Sequence, residues 1–445
     1  MKTPAFIRRL FATQAKVHSK ANRHTRRTVS LCQALLSERG EASGAALARE
    51  ALAAYRALSG PALAAFFDVL AEEFSPDPQT VWEAADAYRQ DASPVRLITL
   101  QQVVEAPRQE LFRRLNLASG GTAALVEMRR RLLRDLKAQP QWAGIDADLA
   151  HLLGSWFNRG FLSLQRIDWR TPALVLEKLM QYEAVHEIQG WRDLRRRLES
   201  DRRCFAFFHP ALPDEPIIFI EVALAKGMSE KVQPLLDPDS PVVDPAGADA
   251  AIFYSITNCQ EGLRGISFGN FLIKQVAEDL GREFPRLKTF ATLSPVPGFR
   301  KWLAETAATQ PGLAELAATL SRPDWFETAG SDAGVRTELM RLCAYYLQYA
   351  KHDNEPADAV ARFHLGNGAR MERLNWLADL SKPGMARSAG LMVNYVYRLK
   401  EVEHNHEAYA NKHHVVASPG LALMARESLL AREGVLARQM AKRKG

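Results

Sequence analysis

The sequence AIFYSITNCQEGLRGISFGNFLIKQVAEDL, residues 251–280, combines an apolar strand, a glycine-containing loop and an amphipathic helix. The run 251–256 is rich in strand-forming residues, and apolar side chains recur at helical spacing over 270–280. A second apolar strand is predicted at 289–293. Strand, helix and strand in this order predict a mixed α/β domain of the kind that carries catalytic sites.

The loop between the first strand and the helix has the chemistry of a phosphate cradle. Glycines let the backbone approach a ligand closely, and a helix beginning near Gly269 presents free N–H groups and the positive end of its dipole. Arg264 adds a guanidinium for charge-assisted bonds to phosphate. An ordinary strand-to-helix turn has a similar composition, so both interpretations stay open. The candidate binding residues are Arg264, Gly265, Ile266, Ser267, Phe268, Gly269 and Asn270.

The same residues match the pattern G-x-S-x-G, in which Ser267 would be the nucleophile of an α/β-hydrolase. A nucleophile elbow needs a strand that runs directly into the turn, whereas the polar residues 257–264 intervene here. No repeated βαβ pattern precedes the motif to supply a parallel sheet. Hydrolysis at Ser267 is therefore kept only as an alternative.

Composition excludes several classes of protein. The 445 residues are 47% hydrophobic and 24% charged, which is typical of a soluble globular chain of two or three domains. No apolar run reaches the length of a membrane span. The four cysteines lie far apart, which predicts neither a disulfide framework nor a zinc site.

The charge pattern bears on partners and location. The net charge of +7 suits a polyanionic ligand, and the basic helices at 129–134 and 195–203 lack the interleaved aromatic residues of a nucleic-acid surface. The first 37 residues contain eight basic residues and no acid. We interpret this segment as a flexible basic arm of a cytoplasmic bacterial protein, with an organellar transit peptide as the alternative.

Helical patterns fill the chain from about residue 30 to 164, and strands begin to alternate with helices after 169–172. We therefore predict an all-α bundle over 1–168, a mixed α/β domain over 169–432 and a basic tail over 433–445. Predicted helices are 46–58, 61–74, 80–89, 123–137, 173–182, 270–280, 299–308, 335–350 and 421–432. Predicted strands are 204–209, 217–225, 251–256 and 289–293, with a surface loop at 234–249.

Two further motifs contain candidate catalytic groups. Ser294 follows the last predicted strand and precedes two prolines, which would hold its hydroxyl on a stiff loop. Capping of its own backbone is the structural alternative. His364 lies between apolar residues and glycines, where it could exchange protons or simply pack. Polar residues that follow it are Asn375, Asp379, Asn394, Tyr395 and Tyr397.

The remaining histidines do not predict a metal centre. His404 and His406, and then His413 and His414, have no regular ligand spacing and no acidic partner at a helical interval. We expect them to lie in a polar loop.

Four gap-free stretches resemble the malonyl-CoA decarboxylase family. They are GISFGNFLIKQV at 265–276, FATLSPVPGFRKW at 290–302, HLGNGA at 364–369 with NWLAD at 375–379, and GLMVNYVY at 390–397. Weaker similarity extends over 183–186 and 202–225. The stretches occur in the family's order and cover most of the second half of the chain, so the similarity is specific.

The resemblance implies a helical oligomerisation domain, giving a dimer or tetramer, followed by an acetyltransferase-like (GNAT) domain that binds acyl-CoA. It implies conversion of malonyl-CoA to acetyl-CoA and CO2 without a cofactor. Ser294 and His364 match the family's catalytic pair, Tyr397 matches a tyrosine of the same site, and 264–270 matches the segment that contacts CoA. Some relatives have Glu at the position of Ser267, so this chain lacks that carboxylate.

The chemistry is compatible with these residues. A thioester carbonyl is itself an electron sink, so loss of CO2 needs alignment, stabilisation of the enolate and a proton donor. We expect Ser294 to bind the malonyl carboxylate and His364 to protonate the enolate. The alternatives are a GNAT-type N-acyltransferase and a CoA-sensing or nucleic-acid-binding protein without catalytic activity.

Overall fold

The computed structural model describes residues 23–268, 272–322, 324–328 and 332–432. Most of the basic arm, the basic tail, and Gly269 and Asn270 of the predicted phosphate loop lie outside these ranges. The chain forms two compact units. The first contains the residues up to Ser163 together with 208–217 and 260–268, and the second contains 164–207, 218–259 and the remaining residues.

The first unit is helical, as the sequence predicts. Proline occupies the first turn of several helices, where its missing N–H costs no hydrogen bond. Residues 23–29, predicted as part of a flexible arm, are instead helical, because Thr25, Thr28 and Val29 are buried. The helices are α1 Arg23–Ser37, α2 Glu41–Arg56, α3 Gly60–Glu72, α4 Pro78–Gln90, α5 Pro94–Val104, α6 Pro107–Asn116, α7 Gly121–Asp135 and α8 Ala143–Trp156.

Aromatic side chains form the centre of this unit. The rings of Phe66 and Phe67 lie 6.0 Å apart, and Phe67 packs 5.1 Å from Trp142. By contrast, α4 and α5 contain no buried residue. Trp82 is 74% exposed and Val95 is 72% exposed. The α4–α5 pair therefore presents apolar surface that this unit leaves uncovered.

The second unit is built on an eight-stranded mixed sheet. Its strand order is β1-β2-β3-β4-β5-β10-β6, with β9 paired to β10. Strands β4 and β5 are parallel, and β10 is antiparallel to both β5 and β9. The strands are β1 Ser163–Ile167, β2 Arg202–His209, β3 Leu212–Ala225, β4 Ala250–Asn258, β5 Thr289–Thr292, β6 Ser294–Pro295, β9 Arg370–Asn375 and β10 Met392–Val396, and a separate hairpin contains β7 Lys351–His352 and β8 Glu355–Pro356.

Helices connect and cover these strands. The predicted helix at 335–350 corresponds to α16, which Asp332 caps by accepting from the N–H groups of Gly334 and Val335. The helices are α9 Ala173–Tyr182, α10 Trp191–Arg197, α11 Gln233–Leu236, α12 Leu272–Glu283, α13 Phe299–Ala307, α14 Ala314–Leu320, α15 Trp325–Thr328, α16 Ala333–Tyr349, α17 Ala359–Gly366, α18 Lys382–Ser388, α19 Val402–Lys412 and α20 Pro419–Arg426.

Strands β4 and β5 pair over only part of their length. Their parallel register runs from Ala250 opposite Thr289 to Phe253 opposite Thr292. Directly after this point β4 bulges, because the register with β3 passes from Phe253 to Ser255. Strand β4 then continues to Asn258, so its pairing with β5 ends at Thr292, apart from one hydrogen bond from the N–H of Leu293 to the carbonyl of Phe253.

Two predictions about local structure are wrong, and a third is only partly right. The segment 234–249 is largely a loop, as predicted, but it contains the end of α11 and a 3-10 turn at Pro245–Gly247. Residues 404–406 lie within helix α19 rather than in a loop. The helix predicted at 421–432 ends at Arg426, because Ser428 caps a new turn by accepting from the N–H of Ala431.

Among the described residues, no helix is both long and apolar enough to cross a bilayer.

Candidate active site

Ser294 begins β6, two residues after the end of β5. It pairs with Val393 of β10 and Pro295 pairs with Met392, in the same antiparallel register in which Ala291 of β5 pairs with Val396, so β10 fixes the position of Ser294. The Ser294 side chain is almost completely buried. The prolines predicted to stiffen this segment therefore follow a hydroxyl that the sheet itself holds in place.

His364 lies in the last turn of α17, and its ring nitrogens have two different partners. Its Nε2 lies 3.0 Å from the Ser294 Oγ, and its Nδ1 lies 2.8 Å from the Tyr397 hydroxyl. The Asp358 side chain caps α17 by accepting from the N–H of Ala361. The structure thus brings together Ser294, His364 and Tyr397, three residues that are far apart in sequence.

Aromatic packing fixes the imidazole plane. The ring of Tyr395 stacks on His364 with centroids 4.4 Å apart and an angle of 27° between the planes. Tyr397 follows β10 directly, and its N–H donates to the carbonyl of Phe290 on β5. Both contacts depend on β10, which the sequence analysis did not predict as a strand.

Burial sets the charge state of this site. Desolvation lowers the pKa of His364 to about 3, and it raises the pKa of Tyr397 well above its ordinary value. Both groups are therefore neutral at neutral pH. A neutral imidazole has one protonated and one bare nitrogen, so it can both donate and accept a hydrogen bond.

Thr292 is a fourth member of this site that sequence reasoning missed. The Ser294 hydroxyl donates to the Thr292 Oγ1 at 2.8 Å, and the N–H of Tyr395 donates to the same oxygen at 3.1 Å. The Thr292 side chain is completely buried. The signal available in the sequence was the spacing of two along a strand, which places alternate side chains on one face.

Polar residues predicted near His364 support the sheet beneath the site. Asn394 donates to the carbonyl of Thr292 at 2.7 Å and accepts from Asn375 at 2.8 Å. The Asp379 carboxylate accepts from the N–H of Ser381. Asn375 and Asn394 thus join β9, β10 and β5 through side-chain hydrogen bonds.

A second pair of hydroxyls lies on β4. The Ser255 and Thr257 hydroxyls donate to the two oxygens of Glu183, at 2.7 and 2.9 Å. Glu183 also accepts from the N–H groups of Val185 and His186, at 2.9 Å each. This buried carboxylate therefore has four hydrogen-bond donors.

The predicted phosphate loop belongs to the first compact unit as far as Phe268. The Arg129 guanidinium donates to the carbonyls of Gly262 and Arg264 at 2.8 Å each, which fixes the backbone ahead of the glycine. Gly265 has φ of +80°, a conformation that favours glycine. Arg264 and Ser267 have exposed side chains.

The hydrolase alternative does not fit this loop. Strand β4 ends at Asn258, and a 3-10 turn at Glu261–Leu263 separates it from Ser267. A nucleophile elbow requires the strand to enter the turn directly. The geometry of Ser267 is therefore not that of an α/β-hydrolase nucleophile.

One of the two histidines of α19 has a backbone partner outside its own helix. His406 Nδ1 lies 2.7 Å from the carbonyl oxygen of Gly366, at the end of α17. Within the described ranges, His, Cys, Asp and Glu side chains form no group of three that could hold a metal ion.

Comparisons with known proteins agree with the two parts of the chain. Residues 74–157 match the Malonyl-CoA decarboxylase N-terminal domain, and residues 160–434 match the Malonyl-CoA decarboxylase C-terminal domain. The chain is 36% identical over 403 residues to the mitochondrial malonyl-CoA decarboxylase of Anser anser anser, covering 82% of this chain and 80% of that protein.

Two solved structures of the same name resemble this chain closely. The malonyl-CoA decarboxylase of Rhodopseudomonas palustris is 49% identical, with a TM-score of 0.86 over 89% of this chain and 98% of the other. That of Agrobacterium vitis is also 49% identical, with a TM-score of 0.83 over 89% and 99% of the two chains.

The helical region, the mixed α/β domain and these matches define an enzyme of the carboxy-lyase class. More narrowly, the chain belongs to the malonyl-CoA decarboxylase family.

Proposed function

We propose that this enzyme converts malonyl-CoA to acetyl-CoA and CO2 without a cofactor. The observation that carries the proposal is the buried chain of hydrogen bonds from Tyr397 through His364 to Ser294. It provides a positioned hydroxyl and a proton-transfer group in a site from which water is largely excluded. Family membership supplies the substrate class.

The reaction requires the protein only to align the malonyl group and to supply one proton. The bond between the carboxylate and the α-carbon breaks, its electron pair forms the enolate of the thioester, and CO2 leaves. The enolate carbon then takes one proton. In this proposal Ser294 binds the malonyl carboxylate, and His364 stabilises the enolate and protonates its carbon from Nε2.

The malonyl carboxylate brings a negative charge next to a neutral imidazole. No charged group contributes to the low pKa of His364, which burial alone explains. A malonyl carboxylate beside the imidazole raises its pKa, because an opposite charge favours the protonated form. The imidazole that remains neutral gives its Nε2 proton to the enolate carbon while its Nδ1 takes the proton of the Tyr397 hydroxyl, which regains a proton from water.

Two features support an acyl-CoA site of the acetyltransferase (GNAT) type. The parallel pairing of β4 and β5 ends at Phe253 and Thr292, two residues before Ser294, and we place the acyl group beside this point. The loop that begins at the exposed Arg264 has a glycine with positive φ at Gly265 and a backbone held by Arg129, which is compatible with a phosphate contact. We assign CoA binding to Arg264, Gly265, Ile266, Ser267, Phe268, Gly269 and Asn270.

An N-acyltransferase is the second candidate, because strands whose parallel pairing ends in this way also suit acyl transfer to an amine. That reaction does not require the Ser294 and His364 pair. The two functions are separated by release of CO2 when no acceptor amine is present.

We also propose a homo-oligomer, a dimer or tetramer, formed by the helical region 1–168, with 169–432 as the catalytic part. The exposed Trp82, Val95 and Ile98 of the α4–α5 pair support this role. Light scattering should give a mass above that of one chain, and Trp82→Glu with Ile98→Glu should lower it. A monomeric wild-type protein would contradict the proposal. The predicted cytoplasmic location stays a prediction, since relatives include bacterial proteins and one named mitochondrial.

The test of the activity is incubation of the purified protein with malonyl-CoA alone. Mass spectrometry should show acetyl-CoA and CO2 in equal amounts, and the His364→Asn variant should lose both while keeping its circular dichroism spectrum. Intact malonyl-CoA in the wild-type reaction would reject decarboxylation, and free CoA with malonate would indicate hydrolysis instead.

A further inference from the structure

The hydrogen bonds around Ser294 determine where each proton of the site lies. A serine hydroxyl has one proton, and here the Ser294 Oγ donates it to the Thr292 Oγ1 at 2.8 Å. Ser294 therefore has no proton left for its contact with the His364 Nε2 at 3.0 Å. That contact is a hydrogen bond only if the histidine nitrogen donates.

The other side of the ring completes the pattern. With the proton of the neutral imidazole on Nε2, its Nδ1 is bare and accepts a hydrogen bond. The Tyr397 hydroxyl, 2.8 Å away, supplies that proton. All three bonds then run in one direction, from Tyr397 to His364, to Ser294 and finally to Thr292.

We propose that Thr292 is a positioning residue: in the protein without substrate it accepts the Ser294 hydroxyl proton and thereby holds the His364 proton on Nε2, facing Ser294, until the malonyl carboxylate replaces it as the acceptor. This inference rests on the proposed function, because only a reaction that protonates substrate at this site uses such a donor. Thr292 is suited to the role since its side chain is completely buried and its Oγ1 is also bonded to the N–H of Tyr395 on β10.

The orientation matters for catalysis. A proton held on Nε2 is on the side of the ring where Ser294 lies and where the malonyl group is expected. If Ser294 instead donated to Nε2, the ring would carry its proton on Nδ1 toward Tyr397 and present a bare nitrogen to the substrate. Thr292 therefore makes Nε2 of His364 a hydrogen-bond donor rather than an acceptor.

Two substitutions at Thr292 separate this role from packing. Thr292→Val keeps the shape of the side chain and removes the acceptor oxygen, so the Ser294 hydroxyl is free to turn toward Nε2. Thr292→Ser keeps the oxygen and removes one methyl group. We expect kcat to fall about 10-fold in Thr292→Val with little change in KM, less than the range of about 10²–10⁴ that proton transfer contributes because His364 itself is retained, and to recover in Thr292→Ser.

The direct test is the tautomer of His364 in the full-length protein without substrate. Magic-angle-spinning NMR of protein labelled with 13C and 15N in histidine distinguishes Nε2, bonded to Cδ2, from Nδ1, bonded to Cγ. The His364→Asn spectrum identifies the signals of His364 among the 11 histidines. We expect a protonated Nε2 in the wild type and in Thr292→Ser, and a shift toward protonated Nδ1 in Thr292→Val.

Two results would overturn the proposal. The first is a wild-type protein with the proton on Nδ1, which needs no variant to observe. The second is a folded Thr292→Val protein with the wild-type tautomer and kcat. Because the tautomer is measured without substrate, it also separates failure of this inference from failure of the decarboxylase proposal, which the reaction with malonyl-CoA tests on its own.

Discussion

Two pairs of hydroxyls lie on neighbouring parallel strands of the sheet, and their partners differ. On β4, Ser255 and Thr257 both donate to the carboxylate of Glu183. On β5 and β6, Thr292 and Ser294 contact the imidazole of His364 through Ser294. A carboxylate only accepts, so it fixes both hydroxyls as donors, whereas a neutral imidazole can donate or accept.

From this difference we infer a structural role for the first pair and a catalytic role for the second. The Glu183 pair is saturated, since the carboxylate also binds two backbone N–H groups of its own loop. Ser294 and Thr292 instead belong to a chain of hydrogen bonds that starts at Tyr397 and passes through His364. Each donor in this chain can pass its proton to the next acceptor. In this proposal, two hydroxyl pairs with the same spacing differ in function because one contacts a carboxylate and the other an imidazole.

The largest expected effect is on turnover when the imidazole pair is broken. Ser294→Ala and His364→Asn each should lower kcat by about 10²–10⁴, because positioned proton transfer contributes that much. Steady-state assays of CO2 release check this, and circular dichroism serves as the control for folding. Wild-type turnover in both variants would remove these residues from the mechanism.

A smaller loss of turnover is expected when the hydrogen-bond partner of His364 Nδ1 is removed. Tyr397→Phe removes the hydroxyl from Nδ1 while keeping the buried ring, so kcat should fall about 10-fold, below the range of about 10²–10⁴ for proton transfer because His364 itself is retained. The stability should change little because the packing is retained. An unchanged kcat would mean that His364 needs no partner at Nδ1.

Breaking the carboxylate pair should affect stability instead. In Glu183→Gln an amide oxygen and an N–H group replace an acceptor of four donors, so the free energy of unfolding should fall by about 2–4 kcal/mol. Urea denaturation measures this change. The kcat of the folded variant should stay within about twofold of the wild type, and a large loss of kcat at wild-type stability would contradict the comparison.

The free energy of unfolding should decrease as the pH is lowered, because His364 is buried in its neutral form. Its pKa is lowered to about 3 in the folded protein from 6.5, so between these values the unfolded chain binds a proton that the folded protein does not. Stability is therefore lost as pH falls, by about 1.4 kcal/mol per pH unit for this group. From pH 7.5 to 5 the stability of the wild type relative to His364→Asn should fall by about 2 kcal/mol. A constant difference would mean that His364 is not desolvated.

Much of this architecture can be predicted from the sequence. The helical region, the strands at 204–209 and 217–225, and the strand-loop-helix of 251–280 follow from periodicity and from glycine and proline positions. Ser294, His364 and Tyr397 could be singled out through family resemblance. Local composition alone left each of the first two with a structural alternative.

The rest depends on long-range pairing. Strands β9 and β10 are short and lack a period-two signal, yet β10 pairs with β5, β6 and β9 and precedes Tyr397. The role of Thr292 depends on a hydroxyl proton and a ring that approaches from 70 residues away. No local pattern specifies such contacts, because the fold brings these residues together.

The central claim is that the partner of each hydroxyl pair decides its function, and one paired measurement tests it most directly. It compares kcat and the free energy of unfolding for Ser294→Ala and Thr257→Val. We expect Ser294→Ala to lose at least about 100-fold in kcat, and Thr257→Val to keep kcat within about twofold while losing about 1–3 kcal/mol of stability. Loss of kcat in a stable Thr257→Val protein, with Ser294→Ala active, would contradict the account.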